Sequence, residues 1–216
     1  MINFYWKNTR LLVALIILSI VLIPLAVVLP KEYGFENHLL ENIEVIILSS
    51  GIIINLLKIR DYTIYESVKF YIASILVFVL MIGRELNWGR VFYPVMIKND
   101  GDVVFISLNK LWYGSVVYPL VAILIVIVIG ILLYYIYQSR LKNIYWYIPL
   151  GEFFILVLMS ILSQCVFEQD YITSLGDYNQ MLEEICEILS YLALVSCSYQ
   201  TYFVKKYVNI KYFSMI

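Results

Sequence analysis

The sequence predicts an all-α fold, a polytopic transmembrane helical bundle of about six spans forming a single integral membrane domain over residues 1–216. Three observations carry this. First, 62% of the 216 residues are hydrophobic and only 14% are charged, against roughly 25% charged in an ordinary soluble domain. Mean hydropathy is +0.86, so the natural solvent is a bilayer, and the Ile, Leu, Val and Phe content also excludes disorder. Second, the apolar residues fall into six runs near the roughly 20 residues that a helix needs to cross ~30 Å of hydrocarbon. Third, the runs do not alternate as the strands of a closed barrel would. Stretches such as Val121 to Leu133 demand helices that satisfy their own backbone.

The first span, Leu11 to Leu29, follows Lys7 and Arg10 and resembles a secretory leader only superficially. Its apolar stretch exceeds the ~7–15 residues of a leader, and the exit Ala26-Val27-Val28-Leu29-Pro30 lacks small residues at cleavage spacing. It reads as a membrane helix kinked by Pro24. The second runs from Leu39 to Ile59 and the third from Val68 to Gly83. Between spans three and four, the connector Leu86 to Lys110 mixes Trp88, Phe92, Tyr93 and Met96 with an Asn99-Asp100-Gly101-Asp102 turn. It reads as an interfacial helix or re-entrant segment. The remaining spans are Leu111 to Tyr137, Trp146 to Phe167 and Leu182 to Val204. Trp6, Trp88, Trp112 and Trp146 each sit at a span end, where an amphipathic ring belongs. No connector is a flexible linker, and no internal repeat is clear.

Lys and Arg set the orientation. A cytoplasmic N-terminus places Lys7, Arg10, Lys58, Arg60, Lys69, Arg140, Lys142, Lys205, Lys206 and Lys211 inside, leaving Lys31, Arg84, Arg90, Lys98 and Lys110 outside. Both termini are therefore expected in the cytoplasm of a cell-membrane protein. The acids run the other way: only Asp61, Glu66 and Glu152 belong to the inner half. The net charge of −1 thus conceals a dipole across the membrane.

Several acids stand inside spans. Glu41 and Glu44 share a face at the start of the second helix, and Glu183, Glu184 and Glu187 repeat the pattern on the sixth. At the same depth the third helix ends in Gly83-Arg84-Glu85-Leu86-Asn87-Trp88-Gly89-Arg90. Charges this near hydrocarbon pair with one another or line a polar cavity. Arg84 and Arg90 are therefore expected to face Glu41, Glu44, Glu184 and Glu187 across an outer vestibule. Glu41, Glu44, Arg84, Glu85, Trp88, Gly89 and Arg90 also carry a resemblance, covering roughly residues 36 to 95. The stretch resembles a loose group of small prokaryotic multi-pass membrane proteins in which an acidic pair opens an early helix and Glu-Glu or Arg-Glu precedes Trp-Gly. That resemblance implies the bundle and the charged cluster, and brings no activity with it.

Each polar feature has a bland reading beside its functional one. The charged cluster is either a sealed ion-pair network that fixes helix register or a pocket for a cation, a proton or a headgroup. Glu152, about two turns into the fifth span, is either an intramembrane relay carboxylate or a snorkelling acid. The spacing of His38 to Glu41 and Glu44 allows a metal-binding face, but no second His supports it. No metal or other cofactor is implied, and an interfacial or capping role suits His38 better. Ser49, Ser50, Asn55, Ser160, Ser163 and Gln164 read as interhelical hydrogen-bonding groups. Cys165, Cys186 and Cys197 form no C-x-x-C motif; Cys165 and Cys186, at the outer ends of adjacent spans, leave a disulfide open.

Phosphate-loop, dinucleotide, zinc-protease and serine-hydrolase motifs are missing, and no basic patch suits nucleic acid. The expected partners are the bilayer and a second copy or another membrane subunit. Three classes of function remain: first a structural or accessory membrane subunit, then a transporter or channel for a proton, cation or small solute, then an enzyme on a lipid-linked substrate. In the last, Glu would act as base and Arg84 or Arg90 would hold phosphate.

Overall fold

The computed structural model describes residues 2–6, 9–35, 39–61, 65–97, 103–176 and 178–205. His38, Lys7, Lys98, Asp100, Asp102, Asp177, Lys206 and Lys211 lie outside the described residues. The chain is mostly helical, with six long helices: α1 Arg10–Ala26, α2 Leu39–Asp61, α3 Tyr65–Glu85, α4 Gly114–Leu141, α5 Leu150–Ile161 and α6 Tyr178–Gln200. Four apolar helical segments are long enough to cross a membrane: Leu39–Arg60, Ser67–Glu85, Gly114–Leu141 and Leu150–Phe167. The segment Arg10–Ala26 is apolar but shorter.

The fold is not purely helical. Strands β1 Ile2–Tyr5, β4 Ile144–Pro149 and β5 Tyr202–Lys205 form a sheet in the order β1-β4-β5, and β2 Pro94–Ile97 pairs with β3 Val103–Phe105. The expectation of an all-α chain is corrected here, and with it two span limits. Trp146 to Pro149 and Tyr202 to Val204 are apolar enough to pass for helix, but an apolar run alone does not distinguish helix from strand. Ile144-Tyr145-Trp146-Tyr147-Ile148 is β-branched and aromatic throughout, which favours a pleated strand. Asn143, with φ 52°, takes the left-handed conformation that ends α4 just before it. The connector after α3 likewise forms a tight turn and the β2–β3 hairpin, not the interfacial helix or re-entrant segment that its apolar residues suggested.

α6 is the hub. It packs against α5, α2 and α1, while α4 lies outside against α3. Leu12 and Leu15 of α1, Ile155 and Met159 of α5 and Leu182, Ile185 and Leu189 of α6 share one core. Leu48, Phe78 and Tyr191 form a second between α2, α3 and α6. Close approach of α2 and α3 depends on Gly51, where a Cβ would come within 2.6 Å of Phe78 Cε1. Of the four tryptophans, Trp6 and Trp112 are exposed, as interfacial anchors should be. Trp146 is buried and donates to Ser139 Oγ at 2.6 Å, and Trp88 folds back onto Gly83.

Candidate functional site

The start of α2, the end of α3 and the start of α6 bring Glu44, Glu85 and Glu187 together, beside the end of the α5 segment. One carboxylate oxygen from each lies within 4.8 Å of the others, and all three residues are buried. Helical spacing explains the alignment: Glu187 stands one turn from Tyr191 and one turn from Glu184 and Glu183, so one face of α6 turns toward the ends of α2 and α3. Glu85 is the last residue of α3.

Arg84 is the guanidinium of the cluster. Its Nη2 donates to Glu187 Oε1, its Nε lies 3.8 Å from Glu85 Oε1, and its Nη1 donates to Tyr191 Oη at 3.3 Å. Tyr191 Oη in turn donates to Glu85 Oε1 at 2.5 Å. From α5, Ser163 Oγ and Gln164 Nε2 donate to Glu187 Oε1 at 2.9 and 2.6 Å. Both come from a π-helical stretch, Leu162–Phe167, in which Glu168 N–H donates to Ser163 O at 3.0 Å. Such bulges insert one residue per turn and re-aim side chains, often at functional sites.

The network leaves Glu44 out. It is 0% exposed, and neither carboxylate oxygen has a hydrogen-bond partner. Glu184 Oε2 is also buried and unpartnered, with Glu41 in electrostatic range. A buried carboxylate without a partner costs several kcal/mol if it is charged. Among the described residues Glu44, Glu85 and Glu187 face one Arg, so their ionised forms carry two negative charges more than these residues neutralise.

Of the seven residues expected to cluster, Glu41, Glu44, Arg84, Glu85, Glu184 and Glu187 lie near the start of α2, the end of α3 and the start of α6, within electrostatic reach of one another. Arg90 departs from the expectation. The chain reverses through Asn87, Trp88 and Gly89, at φ 45°, 54° and 88°, which carries Arg90 to the hairpin, where its Nε donates to Ile106 O at 2.9 Å. Gly89 alone of the three takes this conformation without steric cost. The Trp88 ring then occupies the space that a Cβ on Gly83 would need, so the Trp-Gly pair serves to turn the chain directly after Glu85. Tyr191 is the member that sequence reasoning missed; its place one turn after Glu187 was the available signal. Ser163 and Gln164 do bond between helices, as expected, but their acceptor is the cluster itself.

Glu152 occupies a second polar centre at the opposite end of α5. It is 1% exposed, and its Oε1 accepts from Thr9 Oγ1 at 2.7 Å and Gln200 Nε2 at 2.5 Å. Thr9 Oγ1 also caps α1 by accepting from Leu12 N–H at 3.0 Å. Tyr5 Oη donates to Gln200 O at 3.2 Å; burial, then the Glu152 charge, pushes this phenol up to about 12. Farther along α6, Ser198 Oγ donates to Asn55 Oδ1 at 2.8 Å. All three cysteines are free, with Cys165 exposed and Cys186 and Cys197 buried, so the open pairing of Cys165 with Cys186 is not formed. The metal face drawn from His38, Glu41 and Glu44 falls partly outside the described residues; among those described, Glu44, Glu85 and Glu187 are the carboxylates that come together.

Comparison with protein-family models, curated proteins and solved structures finds no match to this chain.

Proposed function

We propose that this chain is a cell-membrane protein of six crossings, with both termini cytoplasmic, that binds a small cation among Glu44, Glu85 and Glu187 and transports it. The observation that carries this reading is Glu44, fully buried beside two further carboxylates with no donor of its own. A carboxylate so placed needs a positive partner, and ionisable groups inside a membrane bundle mark ion pathways when they are not paired off. Leu48 and Phe78 pack with Tyr191 beside the network, forming an apolar layer that must shift for a cation to pass. The Asn55–Ser198 pair and Glu152 supply polar stations toward the opposite end of α6.

Strand pairing fits six crossings by parity. The β1-β4-β5 sheet holds the start of the chain, the α4–α5 junction and the end of α6 at one face. Four helices separate β1 from β4 and two separate β4 from β5, and even numbers return the chain to one side. The excess of Lys and Arg assigned to that side makes it cytoplasmic.

Flux into proteoliposomes containing only this protein, across a panel of H⁺, Na⁺, K⁺, Ca²⁺ and Mn²⁺ gradients, tests the reading. Cation-dependent flux that is lost in Glu44→Gln and kept in Glu168→Gln is expected. Correctly folded protein that carries nothing beyond empty vesicles removes it. A structural or accessory subunit is the second reading, favoured by α4, whose 28 residues include only four buried ones. A stoichiometric partner on purification, together with no flux, decides for it. The enzyme reading is less favoured at Arg84, which is held by two carboxylates, and keeps Arg90, which is bonded through its Nε to Ile106 O.

A further inference from the structure

We propose that the cation is divalent and hard, of the Ca²⁺, Mg²⁺ and Mn²⁺ class, held by carboxylate oxygens of Glu44, Glu85 and Glu187. This rests on the cation-binding reading above and names its ligand.

Donor chemistry comes first. The three ligating groups are all carboxylates, and oxygen-only sites select Ca²⁺, Mg²⁺ or Mn²⁺ over the softer ions that prefer imidazole or thiolate. Spacing agrees with one shared ion. The donor atoms lie no more than 4.8 Å apart, so a single cation can reach all three at metal–oxygen distances of about 2.0–2.6 Å.

Charge is the second argument. Three carboxylates against Arg84 leave two negative charges, which one divalent ion cancels. With Glu184 included the excess is three, and a divalent ion plus one proton suffices. A monovalent ion cancels the same charge only together with a proton on one carboxylate, which removes that carboxylate's charge from the ion it should hold.

The hydrogen bonds also leave the right oxygens open. Glu187 Oε1 is taken by Arg84, Ser163 and Gln164, and Glu85 Oε1 by Tyr191. Both oxygens of Glu44 remain, and it is they that a cation would occupy. The donors fix Glu85 and Glu187 as outer partners fix metal ligands elsewhere. Glu44 is thus the ligand to which no protein N–H or hydroxyl donates.

Purified full-length protein in detergent, titrated with Mn²⁺ and read by the free-ion electron paramagnetic resonance signal, tests the site. One Mn²⁺ bound per chain and displaced by Ca²⁺ is expected, with affinity reduced at least ~10-fold in Glu44→Gln, the lower limit for losing even an outer partner of a metal. Glu168→Gln should bind as the wild type does. Melting curves in chelator establish that both variants are folded, and Glu44→Asp, which keeps the charge, should recover part of the binding. Mn²⁺ binding equal in wild type and Glu44→Gln overturns the site, as does no binding by folded wild type. Proton flux without Mn²⁺ binding overturns the divalent site and leaves transport standing. Mn²⁺ binding without flux of any cation keeps the site and removes transport.

Discussion

α4 and α6 are built on opposite plans. α4 is apolar along nearly its whole length, and only Gly114, Val128, Tyr135 and Ser139 are buried. α6 carries Asn179, Glu183, Glu184, Glu187, Ser190, Ser196 and Ser198, yet fifteen of its 23 residues are buried. In water the arrangement would be reversed, with the apolar helix inside. In a bilayer, exposed Leu and Ile cost nothing against lipid tails, and a polar helix lowers its free energy by hiding among others. The contrast fits a bilayer as the solvent and locates the chemistry: the buried carboxylates Glu44, Glu85, Glu152, Glu184 and Glu187 lie on α6 or at the ends of α2, α3 and α5 that meet it.

The largest expected effect that sharpens the comparison is that of a charge placed on α4. Val126→Arg should lower membrane integration of this helix by about 2.5–3.5 kcal/mol, read by a glycosylation-reporter insertion assay. Unimpaired integration would show that α4 does not face lipid at this depth.

Next in size is a loss on α6. Glu187→Ala removes the acceptor shared by Arg84, Ser163 and Gln164; the Arg84 side chain is 43% exposed, so the loss comes mainly from the orphaned Ser163 and Gln164 donors and amounts to about 1–3 kcal/mol. Unfolding in detergent or bicelles should show that loss. Val126→Ala on α4, at a position 69% exposed, should stay within about 0.5 kcal/mol. Equal losses would mean that α4 is packed in the working protein.

Glycines provide a contrast of similar size. Gly51→Ala drives a methyl into Phe78 and should destabilise by about 1–3 kcal/mol through overpacking. Gly130 of α4 has open space where its Cβ would stand, so Gly130→Ala should stabilise by a few tenths to about 1 kcal/mol through helix propensity. Opposite signs in melting temperature are expected, and a loss at Gly130 would reveal a neighbour covering α4. Smallest is a kinetic difference: an impermeant maleimide should label the exposed Cys165 well before Cys186, and comparable rates would contradict the burial of α6.

Much of this was legible in the sequence because the bilayer leaves large signals. Runs of apolar residues mark the helices, and Glu41, Glu44, Arg84, Glu85, Glu184 and Glu187 fall at one depth simply by counting along the spans. What escaped depended on contacts between distant segments. The strand Ile144–Pro149 is as apolar as a helix, and its partners lie at the two ends of the described chain. Arg90 was grouped with Arg84 by proximity in sequence, but three consecutive left-handed residues carry it elsewhere. Tyr191 looked like one of 20 tyrosines, and only the fold shows it donating to Glu85. The lone state of Glu44 is also a tertiary property, since it follows from Arg84 being committed to Glu85 and Glu187.

The central claim is that the interior of this bundle holds negative charge awaiting a cation, and melting of the purified protein against added Mn²⁺ tests it most directly. Binding to the folded state alone should raise the stability of the wild type by about 2.7 kcal/mol at one hundred times the dissociation constant, with no comparable rise in Glu44→Gln. Melting temperatures of wild type and Glu44→Gln that respond identically to Mn²⁺, or not at all, would contradict it.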